Sequence, residues 1–247
     1  MPKTSFSRAD QPSENTAEIP AFRQTGTGCA NMDNIQGCGS NPGKRGWGGA
    51  RNSALRTSYY LTLAQCRGLI AAADHAEKIG LAFNRHWTIH YENAGIAEAD
   101  AATFIRKLLK LAGDYARRHG ARLAAVWSRE NGKGKGGHVH IILHLPADLP
   151  LRGKTRRWVR LAGGKYRKGV SVVRSIAGSL RAAEHSAAHY RHNVAIVRAY
   201  GMKGATCEGG EALGLEFSAI GGLIIGKRCG WTQNIGLAAS AVLSGEC

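Results

Sequence analysis

The chain has 247 residues, with 34 Lys+Arg against 17 Asp+Glu and a formal net charge of +17. That length fits one domain with extensions, or two small ones, and can bury a real core. Such a surplus of positive charge points to a polyanionic partner, nucleic acid before any other. No apolar run reaches the roughly 18 residues of a membrane span, the stretch Met1–Ser5 lacks the apolar core of a signal peptide, and no basic amphipathic helix stands out, so no membrane association is expected. The six cysteines, Cys29, Cys38, Cys66, Cys207, Cys229 and Cys247, contain no C-x-x-C spacing. They resemble neither a zinc ribbon nor a secreted disulfide scaffold, and a reducing cytoplasm is the expected setting.

Residues 1–53 are rich in Gly, Ser, Asn, Pro and Thr without a sustained period, the composition of a disordered arm. Order is expected to begin near Thr57. Thr62 to Gly80 reads as a helix, with Leu63, Cys66, Leu69, Ile70 and Ala73 on one stripe. In His86-Trp87-Thr88-Ile89-His90-Tyr91, apolar and polar residues alternate with strand period. Glu98 to His119 carries the clearest helical stripe, Phe104, Leu108, Leu111 and Tyr115, and Gly120 ends it. Arg122 to Glu130 reads as a strand, Asn131 to Gly137 as a turn, and His138 to Leu145 as the returning strand, closed by Pro146.

Between Leu151 and Gly204 Glu184 is the sole acid, set against a long series of Arg and Lys. Val170 to Ile176 suits a short strand, Ser179 to about Met202 a helix, Gly221 to Lys227 another short strand and Ile235 to Leu243 a last small helix. This order implies an α+β domain, an antiparallel sheet with flanking helices, over 54–204, with 205–247 as a small C-terminal extension packed on it.

The chemistry centres on Gly132-Lys133-Gly134-Lys135-Gly136-Gly137-His138-Val139-His140. Side chains two apart on a strand share a face, so His138 and His140 project together while Val139 turns to a core. The hairpin returns Glu130 beside them, so a His-His-Glu metal site is geometrically cheap. Mixed nitrogen and oxygen ligands suit Mg²⁺ or Mn²⁺ with several waters, and zinc stays open. A lone H-x-H is more often an ordinary solvent-facing pair; the acid, the turn and the basic chain favour a site here. His144 reads as a supporting residue rather than a ligand. Tyr200 and Lys203 form a further pair: a tyrosine can attack phosphorus to give a covalent phosphotyrosine, and a lysine on the same helix face can hold the phosphate.

Three segments, in order, resemble the HUH endonucleases, the superfamily of rolling-circle replication initiators, relaxases and related transposases. Trp87-Thr88-Ile89-His90 is similar to the family's F-T-L-T strand, His138-Val139-His140 to its His-hydrophobe-His motif, and Tyr200-Gly201-Met202-Lys203 to the Y-x-x-K motif of the replication-initiator branch. Together they span residues 87–203. The resemblance implies a ferredoxin-like HUH nuclease domain that nicks and rejoins single-stranded DNA for a plasmid, phage or transposable element. It implies a divalent ion on His138, His140 and an acid, Tyr200 as nucleophile with Lys203 beside it, and a 5′-phosphotyrosine with a free 3′-OH. His90 departs from the family pattern, which has a small residue there. Tyr190 is a rival nucleophile without a following lysine.

Trp87, Thr88 and His90 are expected to meet DNA, with Trp127 and Trp158 as further stacking candidates; for Trp127 the core is favoured. Arg156, Arg157, Lys165, Arg167 and Lys168 are expected to bind phosphates. Gly221 to Arg228 imitates a phosphate loop, but Arg228 stands where Ser or Thr must reach Mg²⁺, and Gly153-Lys154-Thr155 lacks the leading glycine. No ATPase module is visible, so duplex opening would fall to a separate host helicase. The alternative function is a non-catalytic DNA- or RNA-binding protein on the same basic surface.

Overall fold

The computed structural model describes residues 56–215 and 221–236. The expected arm, 1–53, lies outside them. In chain order the elements are β1 (Thr57–Ser58), α1 (Leu63–Lys78), β2 (Arg85–Ile89), α2 (Ala101–Arg118), β3 (Ala124–Gly132), β4 (Gly136–His144), α3 (Lys154–Leu161), β5 (Ser171–Ser175), α4 (Ala182–His185), α5 (Ala187–Gly201), α6 (Cys207–Ala212), β6 (Ile224–Ile225) and β7 (Cys229–Trp231). The class is α+β, as expected: a five-stranded sheet in the order β5-β2-β4-β3-β7, every neighbouring pair antiparallel, with flanking helices. β1 and β6 form a separate two-stranded ribbon.

Local chemistry explains the element ends. α1 starts at a capping box, in which Thr62 Oγ1 accepts from the Gln65 amide (3.2 Å) and Gln65 Oε1 accepts from the Thr62 amide (2.9 Å). α2 follows a single 3₁₀ turn at Glu98–Asp100 and buries Phe104, Ile105, Leu108, Ala112, Tyr115 and Ala116. Its outer face carries Lys110, Asp114 and Arg117, joined by ion pairs. Such exposed pairs add little stability, and the buried stripe holds the helix.

The sheet is covered on both faces. On one, Trp87 and Ile89 of β2, Ala125 and Trp127 of β3 and Val139, Ile141 and Leu143 of β4 pack in a cluster with α2 and with Trp158 and Val159 of α3. On the other, Ala124, Val126, Ile142 and Cys229 pack with Cys66, Leu69, Ala72, Ala73 and Ala76 of α1 and Tyr190 and Val194 of α5. The period of two makes this division, since alternate residues of the same strands serve opposite cores.

Several expectations change. The expected helix Ser179–Met202 is two helices, α4 and α5, broken at Ser186, whose backbone (φ −152°, ψ 80°) leaves the helical region. Lys154–Leu161, read only as a basic stretch, is a helix because Trp158 and Val159 bury one side of it. Gly221–Lys227 yields only the two residues of β6 as strand. Residues 205–247 are not simply packed on the domain: β7 is the fifth strand of its sheet, paired with β3 through Trp127↔Gly230. Of the expected last helix, Ile235 closes a 3₁₀ turn, Gln233–Ile235, and 237–247 lie outside the described residues. Among the described residues no helix is long and apolar enough to cross a membrane.

Candidate metal centre

The β3–β4 register sets Glu130 opposite His138 and Ser128 opposite His140, and the β2–β4 register sets Thr88 opposite His140. Paired residues point to the same side of a sheet, so all of them share one face. The face is covered rather than wet: Glu130 is 6% exposed and His138 and His140 are each 3% exposed. Glu130 Oε2 lies 3.4 Å from His138 Nε2, 3.8 Å from His140 Nε2 and 3.0 Å from Lys203 Nζ. The ligand atoms offered by Glu130, His138 and His140 all lie within 4.8 Å of one another, so the group can hold a metal ion.

The protonation pattern suits a cation. Burial alone would raise the Glu130 carboxyl, but His138, His140 and Lys203 outweigh it and hold it far below the usual carboxylate range. Burial lowers His140 below the ordinary imidazole value, against the pull of Glu130. An ionised carboxylate and a neutral imidazole are the forms that ligate metals. His138 Nδ1 lies 2.8 Å from the Gly136 carbonyl; as its donor it leaves Nε2 free to ligate. His140 Nε2 and Glu130 Oε1 are buried and have no protein hydrogen-bond partner. Buried polar atoms without partners beside a ligand-competent group are what a bound ion would satisfy, so these residues fit one.

The glycine run delivers His138. A Cβ on Gly136 (φ +63°) would collide with the Glu92 carboxylate, and one on Gly137 would stand 2.5 Å from the Tyr91 ring. Glu92 Oε2 accepts the Gly137 amide (2.5 Å), which ties the start of β4 to the end of β2. Only bare backbone permits that approach.

α5 brings in the tyrosine. Ser128 Oγ donates to the Gly201 carbonyl (2.5 Å) and fastens the end of α5 to β3. The Tyr200 ring centroid lies 5.0 Å from that of His140 and 6.2 Å from that of His86, both edge-on. Lys203 does not share a helix face with Tyr200, because α5 ends at Gly201. The turn beyond the helix folds Lys203 back, so that Nζ sits 3.8 Å above the centre of the Tyr200 ring while it pairs with Glu130. Burial would lower the Lys203 ammonium, but Glu130 outweighs it and raises its pKa, so the charge is kept. The rival Tyr190 belongs to the second core, 4% exposed, and burial followed by Glu77 pushes its hydroxyl up to about 12.

The expected DNA contacts divide. Trp87 is corrected: it is fully buried, packs on Trp158 and donates through Nε1 to Ser171 Oγ (2.8 Å). It is out of phase with His86 and Thr88, so strand alternation turns it into the apolar core. Trp127 and Trp158 are buried in the same core. Thr88 Oγ1 turns to His140 Nδ1 (3.3 Å). His90 stacks on His138, with ring centroids 5.2 Å apart. Lys165, Arg167 and Lys168 are exposed on the loop before β5, which is fixed to the end of β2 by His90 N→Val170 O (2.9 Å) and by Arg167 Nη2→Asn93 Oδ1 (3.2 Å). Arg156 and Arg157 are also exposed, but α3 packs on the sheet face opposite the histidines. His144 Nδ1 bonds the Ala82 carbonyl (2.8 Å), a structural contact.

Sequence reading missed three members of this face. His86 Nε2 lies 3.1 Å from His140 Nδ1, and Ser128 anchors α5. Arg174 pairs with His86 in register and is exposed. The signal for His86 was present in the alternation with Thr88 and His90; Ser128 and Arg174 became visible only through pairing. No known protein-family model matches the chain, and comparisons with curated proteins and with solved structures gave no match.

Proposed function

We propose that the chain is an HUH-type endonuclease and strand transferase that acts on single-stranded DNA. One observation carries the reading. Residues from three separate segments, the buried Glu130 and His138/His140 pair and the half-buried Tyr200/Lys203 pair, meet in one cluster whose atoms suit a metal-assisted attack by a tyrosine. Neither a plain basic binding surface nor a structural hairpin needs a tyrosine packed on a ligand-competent histidine.

Glu130, His138 and His140 would hold the divalent ion, Mg²⁺ or Mn²⁺, on the donor set described above. When bound, such an ion polarises the oxygens of the scissile phosphate. Tyr200 would supply the attacking oxygen; as it loses its proton to solvent its bond to phosphorus forms and the bond to O3′ breaks, and O3′ takes up a proton from solvent, so the strand ends as a 5′-phosphotyrosine and a free 3′-OH. Lys203 keeps a positive charge against the tyrosine ring, which favours the phenolate and the charge that builds on the phosphate. Attack of a 3′-OH on the phosphotyrosine reverses the chemistry and joins the strand. The exposed Arg174, paired with His86, borders the histidine face, and with the exposed Lys165, Arg167 and Lys168 of the loop before β5 it would carry the phosphate backbone. The initiation of replication or transfer of a mobile element is the role that such a reaction serves, with strand opening left to a separate helicase.

A labelled single-stranded oligonucleotide library incubated with the chain and Mn²⁺ tests this. The expected result is cleavage that stops with a chelator and with Tyr200→Phe. Cleavage that persists in both would remove the tyrosine and the metal from the reaction.

A further inference from the structure

A histidine ligates a metal only when the nitrogen that faces the ion carries a lone pair, so its other nitrogen must hold the proton and find an acceptor for it. In His138 that acceptor is the Gly136 carbonyl, 2.8 Å from Nδ1. His140 has no carbonyl there. Its Nδ1 meets two side chains of the neighbouring strand, His86 Nε2 at 3.1 Å and Thr88 Oγ1 at 3.3 Å. The His86 and His140 rings stand 5.2 Å apart at a tilt of 42°, close enough for the direct contact between nitrogens.

We infer that His86 is the positioning residue of the metal centre: its Nε2 accepts the Nδ1 proton of His140 and thereby turns the His140 Nε2 lone pair toward Glu130 and the ion. The inference rests on the metal-dependent reading above. The reverse arrangement puts a proton on His140 Nε2, aimed at the place of the ion, and closes the site. Thr88 is the weaker orienter, because its contact is longer and its hydroxyl is shared with His86 Nε2 at 3.5 Å. In register His86 pairs with Ile142 on one side and the exposed Arg174 on the other, and it reaches His140, the partner of Thr88, diagonally.

The test uses the full chain without DNA. Mn²⁺ affinity is measured by isothermal titration for wild type and for His86→Phe, His86→Gln and Thr88→Val, each also checked for its melting temperature. Phe keeps a ring without an acceptor, and Gln restores an acceptor oxygen. The expected result is a loss of about 10- to 100-fold for His86→Phe, affinity within a few-fold of wild type for His86→Gln, and a smaller loss for Thr88→Val. Wild-type affinity in His86→Phe would overturn the inference, as would equal losses in Phe and Gln, which would mark a packing role. Should wild type bind no Mn²⁺ at all, the metal reading itself would fail, an outcome distinct from the failure of His86 alone.

Discussion

On β2, Trp87 and Ile89 turn to one side and His86 and Thr88 to the other; on β4, Val139, Ile141 and Leu143 oppose His138 and His140. Both sides are buried, yet they differ in kind. The first is a continuous apolar layer sealed by α2 and α3. The second is apolar at one end, through Val126, Ile142 and Cys229, and polar at the other, where Glu130, the histidines and Lys203 sit under α5. The apolar face fixes the strands, and the half-polar face gives up apolar packing to keep a set of hydrogen-bonding groups out of water. Buried polar groups left without partners cost stability, and a protein retains them where they do chemistry.

The largest difference between the faces is expected in activity. On the proposed reading, His138→Ala or His140→Ala should lower DNA cleavage on the order of a thousandfold or more, since a bound ion would supply several kcal/mol of charge stabilisation. DNA affinity should stay near wild type if, as proposed, it comes from the basic surface. A nicking assay beside a binding titration checks both. On the opposite face the pattern should invert. Ile141→Ala, a fully buried truncation, should cost about 2–5 kcal/mol in urea unfolding, while whatever protein remains folded keeps its cleavage rate.

A smaller contrast concerns the basic surface. Replacing Lys165, Arg167, Lys168 and Arg174 with Ala should flatten the dependence of log affinity on log salt, by roughly 0.7 for each phosphate no longer neutralised on a single strand. Arg156→Ala with Arg157→Ala should change the slope less, because α3 lies behind the apolar layer. Equal effects would place the DNA path around both sides of the sheet.

The smallest effect is a check on the second core. Burial pushes the Cys66 thiol up to about 11 and the Cys229 thiol up to about 12. Both are raised above the unfolded value, so the folded state holds these protons more tightly. The stability linked to them is full below the unfolded pKa and is lost as pH rises through the folded values. At pH 8 the native chain should react with a thiol reagent at Cys66 and Cys229 only after unfolding; rapid labelling of either would mean that α1 and β7 do not close this face.

How far the sequence could be read follows the same division. The alternation in Trp87-Thr88-Ile89-His90 and His138-Val139-His140 is local, and it sets His138 and His140 on one face with Val139 on the other, as the structure has them. The hairpin is local too, and it brought Glu130 to His138. What depends on distant pairing was not legible. β7 is three residues, Cys229–Trp231, and acquires its meaning only beside β3. His86 looked like any polar strand residue until β2 paired with β4. Trp87 shares the period of Ile89, which takes it to the core and away from DNA. Lys203 was expected one turn along a helix that in fact stops at Gly201. Tyr200 and Tyr190 lie on one helix, and burial separates them.

A covalent bond from Tyr200 to DNA is the step on which the proposed reaction depends. A labelled oligonucleotide that contains the cleavage site is incubated with the chain and Mn²⁺, the protein is denatured and digested, and the DNA-bearing peptide is identified by mass spectrometry. Attachment is expected at Tyr200, and it should be absent in Tyr200→Phe at an unchanged melting temperature. Attachment at Tyr190, or strand cleavage with no covalent adduct at any tyrosine, would show that Tyr200 is not the nucleophile.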